Sequence, residues 1–176
     1  MTEVKQSGDD AANGLKELSA WDNRPRDSMP MADMLYVIEN NETCVFTRLR
    51  SDGHPIGAVV GGGLMDGEIY TSTNLFRAAY KNVQRDNRVS AIFDIPDMAS
   101  VTVIGRAEIV DDMAKVRRFF ELIGPRSWSV RRGSLTMEDY MKLAFTPNRR
   151  LFHIVPEKFI ASDQRNLVPP ATSNSA

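Results

Sequence analysis

The chain carries a single cysteine, Cys44, among its 176 residues. An intramolecular disulfide is therefore impossible, and no cysteine cluster exists to hold zinc. Histidine is almost as scarce. His54 and His153 lie far apart, and neither has thiols or clustered carboxylates near it in sequence, so no metal-site signature is present. An excess of one charge sign is missing too. The formal net charge is −1, which gives no reason to expect wholesale binding to nucleic acid or to an anionic membrane. No apolar run approaches the ~18 residues of a membrane span, and Met1 to Gly14 hold no apolar core of a signal peptide. The expected compartment is a reducing cytoplasm. There Cys44, inside a strand-like run, reads as a small buried thiol rather than a nucleophile.

What is present organises itself between Thr43 and Asp94. Thr43–Arg50 is rich in β-branched and aromatic residues and breaks at Ser51-Asp52-Gly53-His54-Pro55. Ile56–Val60 resumes and breaks near Met65-Asp66-Gly67, after which Glu68–Thr73 returns. Asp-Gly between strand-like runs is a hairpin signal, and it occurs twice. The period then changes. Phe76, Ala79, Tyr80 and Val83 fall at helical spacing, with Arg77, Lys81, Gln84 and Arg85 around the remaining surface, before Val89–Phe93 returns to strand.

The flanks add helices and two strands. Ser28 is placed to cap a helix with Pro30 in its first turn and Met31, Met34, Leu35 and Ile38 on one face, stopped at Asn40-Asn41. Ser100–Val110 is the longest strand signal, with Val101, Val103, Ala107 and Ile109 on one face and a bend expected at Gly105. Asp111-Asp112 caps a helix over Met113–Ile123, ended by Gly124-Pro125, whose Val116, Phe119, Phe120 and Ile123 form a stripe for packing on a sheet. Ser127–Gly133 reads as a basic loop, and Thr136 as the cap of a short helix to Ala144. Arg149–Val155 is a last strand, closed by Pro156. No internal repeat or second domain is visible. The chain divides into a polar, partly disordered tail over 1–27, one domain over 28–162, and a disordered C-terminal tail over 163–176.

The ordered set Asp-Gly-x-Pro, strand, Asp-Gly-x-Ile-Tyr, Thr-Ser-Thr, basic helix, Arg85-Asp-x-Arg-Val89, strand, then Val101–Val110, resembles the pyridoxamine-phosphate-oxidase-like split-barrel family. It looks closest to the flavin- and deazaflavin-dependent oxidoreductases in that family. The similarity covers roughly Met31 to Ser162. It implies a mainly β fold with flanking helices, a six-stranded antiparallel split β-barrel. It also implies a homodimer with a flavin-type cofactor in a groove between subunits, and a small-molecule substrate beside it.

A flavin-type cofactor presents a phosphate, a flat ring and a ring edge that gathers charge on reduction. The phosphate calls for cations with hydroxyl or backbone donors. Tyr70-Thr71-Ser72-Thr73-Asn74, followed by Arg77 and Lys81, supplies that mixture at a strand-to-helix junction, where the helix dipole favours an anion. By resemblance Arg77 takes the phosphate-holding place and Lys81 is the second choice; a solvated basic helix face is the alternative. The ring is expected against the preceding strand at Val59-Val60-Gly61, where the glycine run Gly61–Gly63 either permits close approach or marks a weakened strand end. Arg126, Arg131 and Arg132 around Trp128 form a second cationic cluster, with Arg126 the candidate for the phosphate and an ordinary basic loop the alternative. No acid–base pair stands out, which agrees with chemistry done by a cofactor. FMN and an 8-hydroxy-5-deazaflavin coenzyme are not separated by the sequence. A true pyridoxamine-phosphate oxidase ranks lower, because no dedicated second phosphate site is evident. A non-catalytic flavin- or haem-binding carrier is the alternative of another class.

Overall fold

Alternation of side chains along six strands places the core. The computed structural model describes residues 29–96 and 99–163. Strand β1 (Thr43–Leu49) sends Cys44, Phe46 and Arg48 inward and leaves Thr43 and Val45 outside. Strand β2 (Pro55–Met65) joins β3 (Glu68–Asn74) through Asp66 and Gly67, both at positive φ (56° and 78°), as a two-residue Asp-Gly hairpin turn requires. With β4 (Arg88–Ile95), β5 (Ala99–Val110) and β6 (Arg149–Asp163), they form a closed antiparallel barrel in the order β1-β2-β3-β6-β5-β4, with β4 back on β1. The expected six-stranded split-barrel architecture is therefore present.

Two apolar clusters result. One fills the barrel with Phe46, Ile69, Phe93, Val101, Val103, Phe152 and Ile154, and is closed by helix α1 (Met31–Glu39) through Met34, Leu35, Val37 and Ile38. The other lies outside the sheet. There Tyr70 and Leu151 meet Val116, Phe119, Phe120 and Ile123 of helix α3 (Met113–Ile123). Helix α2 (Ala78–Arg85) buries Val83, and Arg85 reaches the Leu49 carbonyl at 2.7 Å.

Several boundaries differ from expectation. Pro156 does not end β6. The register shifts between Ile104 and Gly105, Glu157 is left over as the extra residue, and Pro156 sits opposite Gly105, where a bulge tolerates its missing N–H. Gly105 is required there, since a Cβ would collide with the Val155 carbonyl. Strand β2 runs through the glycines to Met65, in line with the expected break near Met65-Asp66-Gly67. Helix α2 begins at Ala78, and Phe76 stays 67% exposed in the preceding turn, where Arg77 N–H donates to the Asn74 carbonyl. Ser127–Gly133 is not wholly loop: Ser127 caps a short helix α4 (Trp128–Arg131), and Thr136 and Asp139 form the capping box of α5 (Met137–Ala144). Pro30, not Ser28, is the N-cap residue of α1; Ser28 and both tails lie outside the described residues.

Candidate functional site

The expected cofactor residues divide by strand parity. Cross-strand partners share a face, so Val60 follows Cys44 inward while Val59 pairs with Val45 outside and is 71% exposed. On β3, Ile69 and Thr71 point into the barrel with their partners Ile154 and Phe152, and Thr73 follows by alternation. Tyr70, Ser72 and Asn74 take the outer face. The side chains of the five consecutive residues Tyr70–Asn74 are therefore divided between the two faces of β3. Thr71 and Thr73 turn their side chains to the barrel interior, and the Thr71 hydroxyl is buried there without a partner. The Tyr70 ring packs on Phe119, 6.3 Å between centroids, and its hydroxyl donates to Glu68.

The glycine run is likewise explained by packing. None of Gly61, Gly62 and Gly63 has positive φ. A Cβ on Gly61 would stand 3.2 Å from both Ile123 Cδ1 and Ser72 Oγ, and one on Gly63 would stand 3.5 Å from Ile123 Cγ2. Gly61 and Gly63 let α3 lie close on the sheet, with Ile123 in the space beside them. Arg126 is also engaged inside the subunit. Its guanidinium donates to the Glu39 carbonyl, one of the unsatisfied groups at the end of α1. Arg132 lies over the Trp128 ring at 5.3 Å, and Arg131 is exposed.

What remains on the outer face is a small set of polar and cationic residues. Ser72, Asn74 and the head of α2 begin it, with exposed Arg77 at the helix N-cap and Lys81 one turn along. Beside them stands a residue the sequence reading missed. Arg149 pairs with Asn74 across β3 and β6, donates through Nε to the Ala144 carbonyl at 2.8 Å, and lies over the Phe120 ring at 5.3 Å. Burial pushes the Arg149 guanidinium down from its ordinary value; Tyr140 opposes that shift, and the positive charge of Arg77 adds to it. Among the described residues neither Arg77 nor Arg149 has a carboxylate partner, whereas neighbouring Arg150 is held by Asp111 at 2.5 Å. The Arg77 charge adds to the cost of the buried Arg149 guanidinium, a cost that an anion beside them would offset. The clue in sequence was the doublet Arg149-Arg150, but only strand pairing shows which arginine meets Asn74.

Tyr140 meets the same Phe120 ring that Arg149 covers, at 6.4 Å between centroids, and Glu42 lies within electrostatic reach of Tyr140. Burial pushes the Tyr140 hydroxyl up to about 12; the Glu42 carboxylate adds to this and Arg149 acts against it. Glu42 accepts the Trp128 N–H at 3.0 Å through Oε1, while Oε2 is buried without a partner. The Tyr70–His153 stack (5.1 Å) lies on the outer face of β3 and β6, with His153 3.2 Å from Glu108. Among the described residues no group of three or more His, Cys, Asp or Glu can hold a metal ion. No described helix is long and apolar enough to cross a membrane.

The family model for pyridoxamine 5'-phosphate oxidase matches residues 31–162. The chain belongs to this family. Solved structures agree on the fold. A conserved hypothetical protein from Mycobacterium tuberculosis is 22% identical, with a TM-score of 0.67 over 88% of this chain and 98% of the other. A protein described as an F420 reductase is 20% identical, with a TM-score of 0.57 over 75% and 98% of the two chains. General stress protein 26 from Bacillus anthracis is 21% identical, with a TM-score of 0.54 over 73% and 91%. At these identities the likeness establishes the fold of this family member and not its substrate. No curated protein matches the chain in sequence.

Proposed function

We propose that this protein is a cytoplasmic oxidoreductase that holds FMN or an 8-hydroxy-5-deazaflavin coenzyme in the outer groove, and that a small organic substrate binds beside it. The observation that carries this reading is the pair Arg77 and Arg149, free of carboxylates next to Ser72 and Asn74. Those groups suit a phosphate: two cations, a hydroxyl, a side-chain amide and the N-terminus of α2. Lys81, one turn further along an exposed helix face, meets a longer acidic tail of the kind a deazaflavin carries. When bound, the cofactor supplies hydride transfer; the chain supplies anchoring, orientation and electrostatics. Val59, apolar and open to solvent, offers the ring an edge to rest on.

The homodimer is part of the proposal. Val59, Val45, Ile92, Thr102 and Ile160 are successive register partners across five strands, and the four apolar members remain exposed on the outside of the barrel. A contiguous apolar row with no described helix over it suits a second copy of the chain, which would also wall the groove.

Titration with FMN and with the deazaflavin coenzyme, followed by tryptophan fluorescence, tests the reading. Saturable binding of one of them, weakened strongly in Arg77→Ala and in Arg149→Met, supports it. Binding with no turnover across donors and acceptors makes the protein a carrier. Failure of both cofactors to bind removes the oxidoreductase reading.

A further inference from the structure

Glu42 and Tyr140 are left over once the phosphate end of the groove has been accounted for. They flank the same segment from two sides. The Tyr140 ring rests on Gly124, where an added Cβ would stand 2.8 Å from Cε1, and Glu42 holds the Trp128 N–H four residues later. The two side chains do not bond each other. Glu42 Oε2 is buried and unpaired, and among the described residues the Tyr140 hydroxyl has no hydrogen-bond partner. A carboxylate oxygen without a donor beside a phenol without an acceptor leaves both halves of a recognition pair unused.

We propose that Tyr140 and Glu42 together read one edge of the ligand, Tyr140 donating to a carbonyl oxygen and Glu42 accepting from an adjacent N–H. The matching chemical class is a lactam or imide edge, a C=O next to an N–H, as the pyrimidine portion of a flavin or deazaflavin ring presents. This inference rests on the cofactor reading above. The placement of groups supports it: Arg149 and Tyr140 pack on the same Phe120 ring, Arg149 beside Asn74 at the cationic end, while Glu42 holds the Trp128 N–H on the far side of the Gly124 segment against which Tyr140 rests. A ligand with an anion at one end and an N–H at the other fits that polarity, whereas one that is anionic at both ends meets repulsion from Glu42. Tyr140 remains a donor throughout the neutral range, because its proton is held up to about pH 12. Because Oε2 is buried, a ligand reaches it only when a neighbouring side chain moves aside.

The test compares riboflavin with riboflavin methylated at the imide nitrogen. Both lack phosphate, and one lacks the N–H. The protein is expected to bind riboflavin about tenfold or more tightly than the methylated form, the scale of a hydrogen bond to a charged acceptor. Glu42→Ala should erase that preference by weakening riboflavin alone. Tyr140→Phe should weaken both flavins by a similar factor, about three- to tenfold, and leave competition by inorganic phosphate unchanged. Equal binding of the two flavins by the unaltered protein overturns the pairing, as does a preference that survives Glu42→Ala. Failure of the unaltered protein to bind any flavin defeats the cofactor reading and this inference with it. Flavin binding without discrimination at the imide nitrogen defeats the inference alone. Thermal melts of both variants, expected near that of the unaltered chain, separate recognition from misfolding.

Discussion

A Cβ placed on Gly62 would stand 2.6 Å from the Cys44 sulfur. Gly62 faces into the barrel between β1 and the ring of Phe93, so the glycine makes room for a thiol and an aromatic edge. Gly62→Ala is therefore expected to destabilise the fold by about 1–3 kcal/mol through overpacking. Adding Cys44→Ala should recover part of that loss, because the two changes share one space. Urea unfolding of the four members of this cycle measures it, and strict additivity would refute the contact.

The same thiol is closed to chemistry. Burial pushes Cys44 up to about 12, so almost no thiolate exists at pH 8. Iodoacetamide should label the folded protein no faster than it unfolds, and labelling should become rapid in urea. Fast labelling under native conditions would show that the barrel opens around β1.

Thr71 separates the strand-parity argument from the sequence reading. Its hydroxyl is fully buried and unpaired inside the barrel, which costs about 1–3 kcal/mol. Thr71→Val should raise stability by about 1 kcal/mol or leave it unchanged, with cofactor affinity unaltered. A marked loss of FMN affinity in that variant would return Thr71 to the binding site.

Arg149→Met should lower FMN affinity by about tenfold or more while changing riboflavin affinity little, since a charge-assisted bond to phosphate is worth ~1.5–3 kcal/mol. Lys81→Ala should matter less for FMN than for a coenzyme with a longer acidic tail. Parallel titrations decide both. Equal losses for FMN and riboflavin in Arg149→Met would point to a packing role over Phe120 instead.

Acid stability has one identifiable contributor outside the groove. Arg88 grips Asp86 with two bonds, 3.0 and 2.6 Å, and holds its carboxyl down to about 2. A carboxyl depressed in the folded state contributes stability above its unfolded value of about 3.9. That contribution fades as the pH falls from about 4 towards 2. Asp86→Asn should flatten the pH dependence of the melting temperature in that window and leave its slope near neutrality unchanged.

Much of the barrel was legible as pattern. The Asp66-Gly67 turn, the Asp112 and Thr136 caps, the alternation of β5 and the bend at Gly105 depend on neighbours in sequence, and each stands where local chemistry placed it. Pro156 misled because the bulge that tolerates it is created by Gly105, fifty-one residues earlier in sequence.

The site was less legible, for a related reason. The sequence reading set Tyr70–Asn74, Arg77 and Lys81 at the phosphate and added Arg126 from a second cationic cluster. Strand parity, which follows from the sequence only once the inward face is known, sends Thr71 and Thr73 into the barrel. Arg126 went to a helix terminus that sequence does not bring near it. Arg149, Tyr140 and Glu42 lie on a terminal strand, an excursion helix and the residue before β1, and only closure of the sheet and packing of α3 and α5 bring them together. The sequence by itself determined the strands, turns, caps and family, because hydrogen-bonding geometry and side-chain period are local. The tertiary structure alone decided which charges are left without partners, because pairing is settled between residues a hundred positions apart.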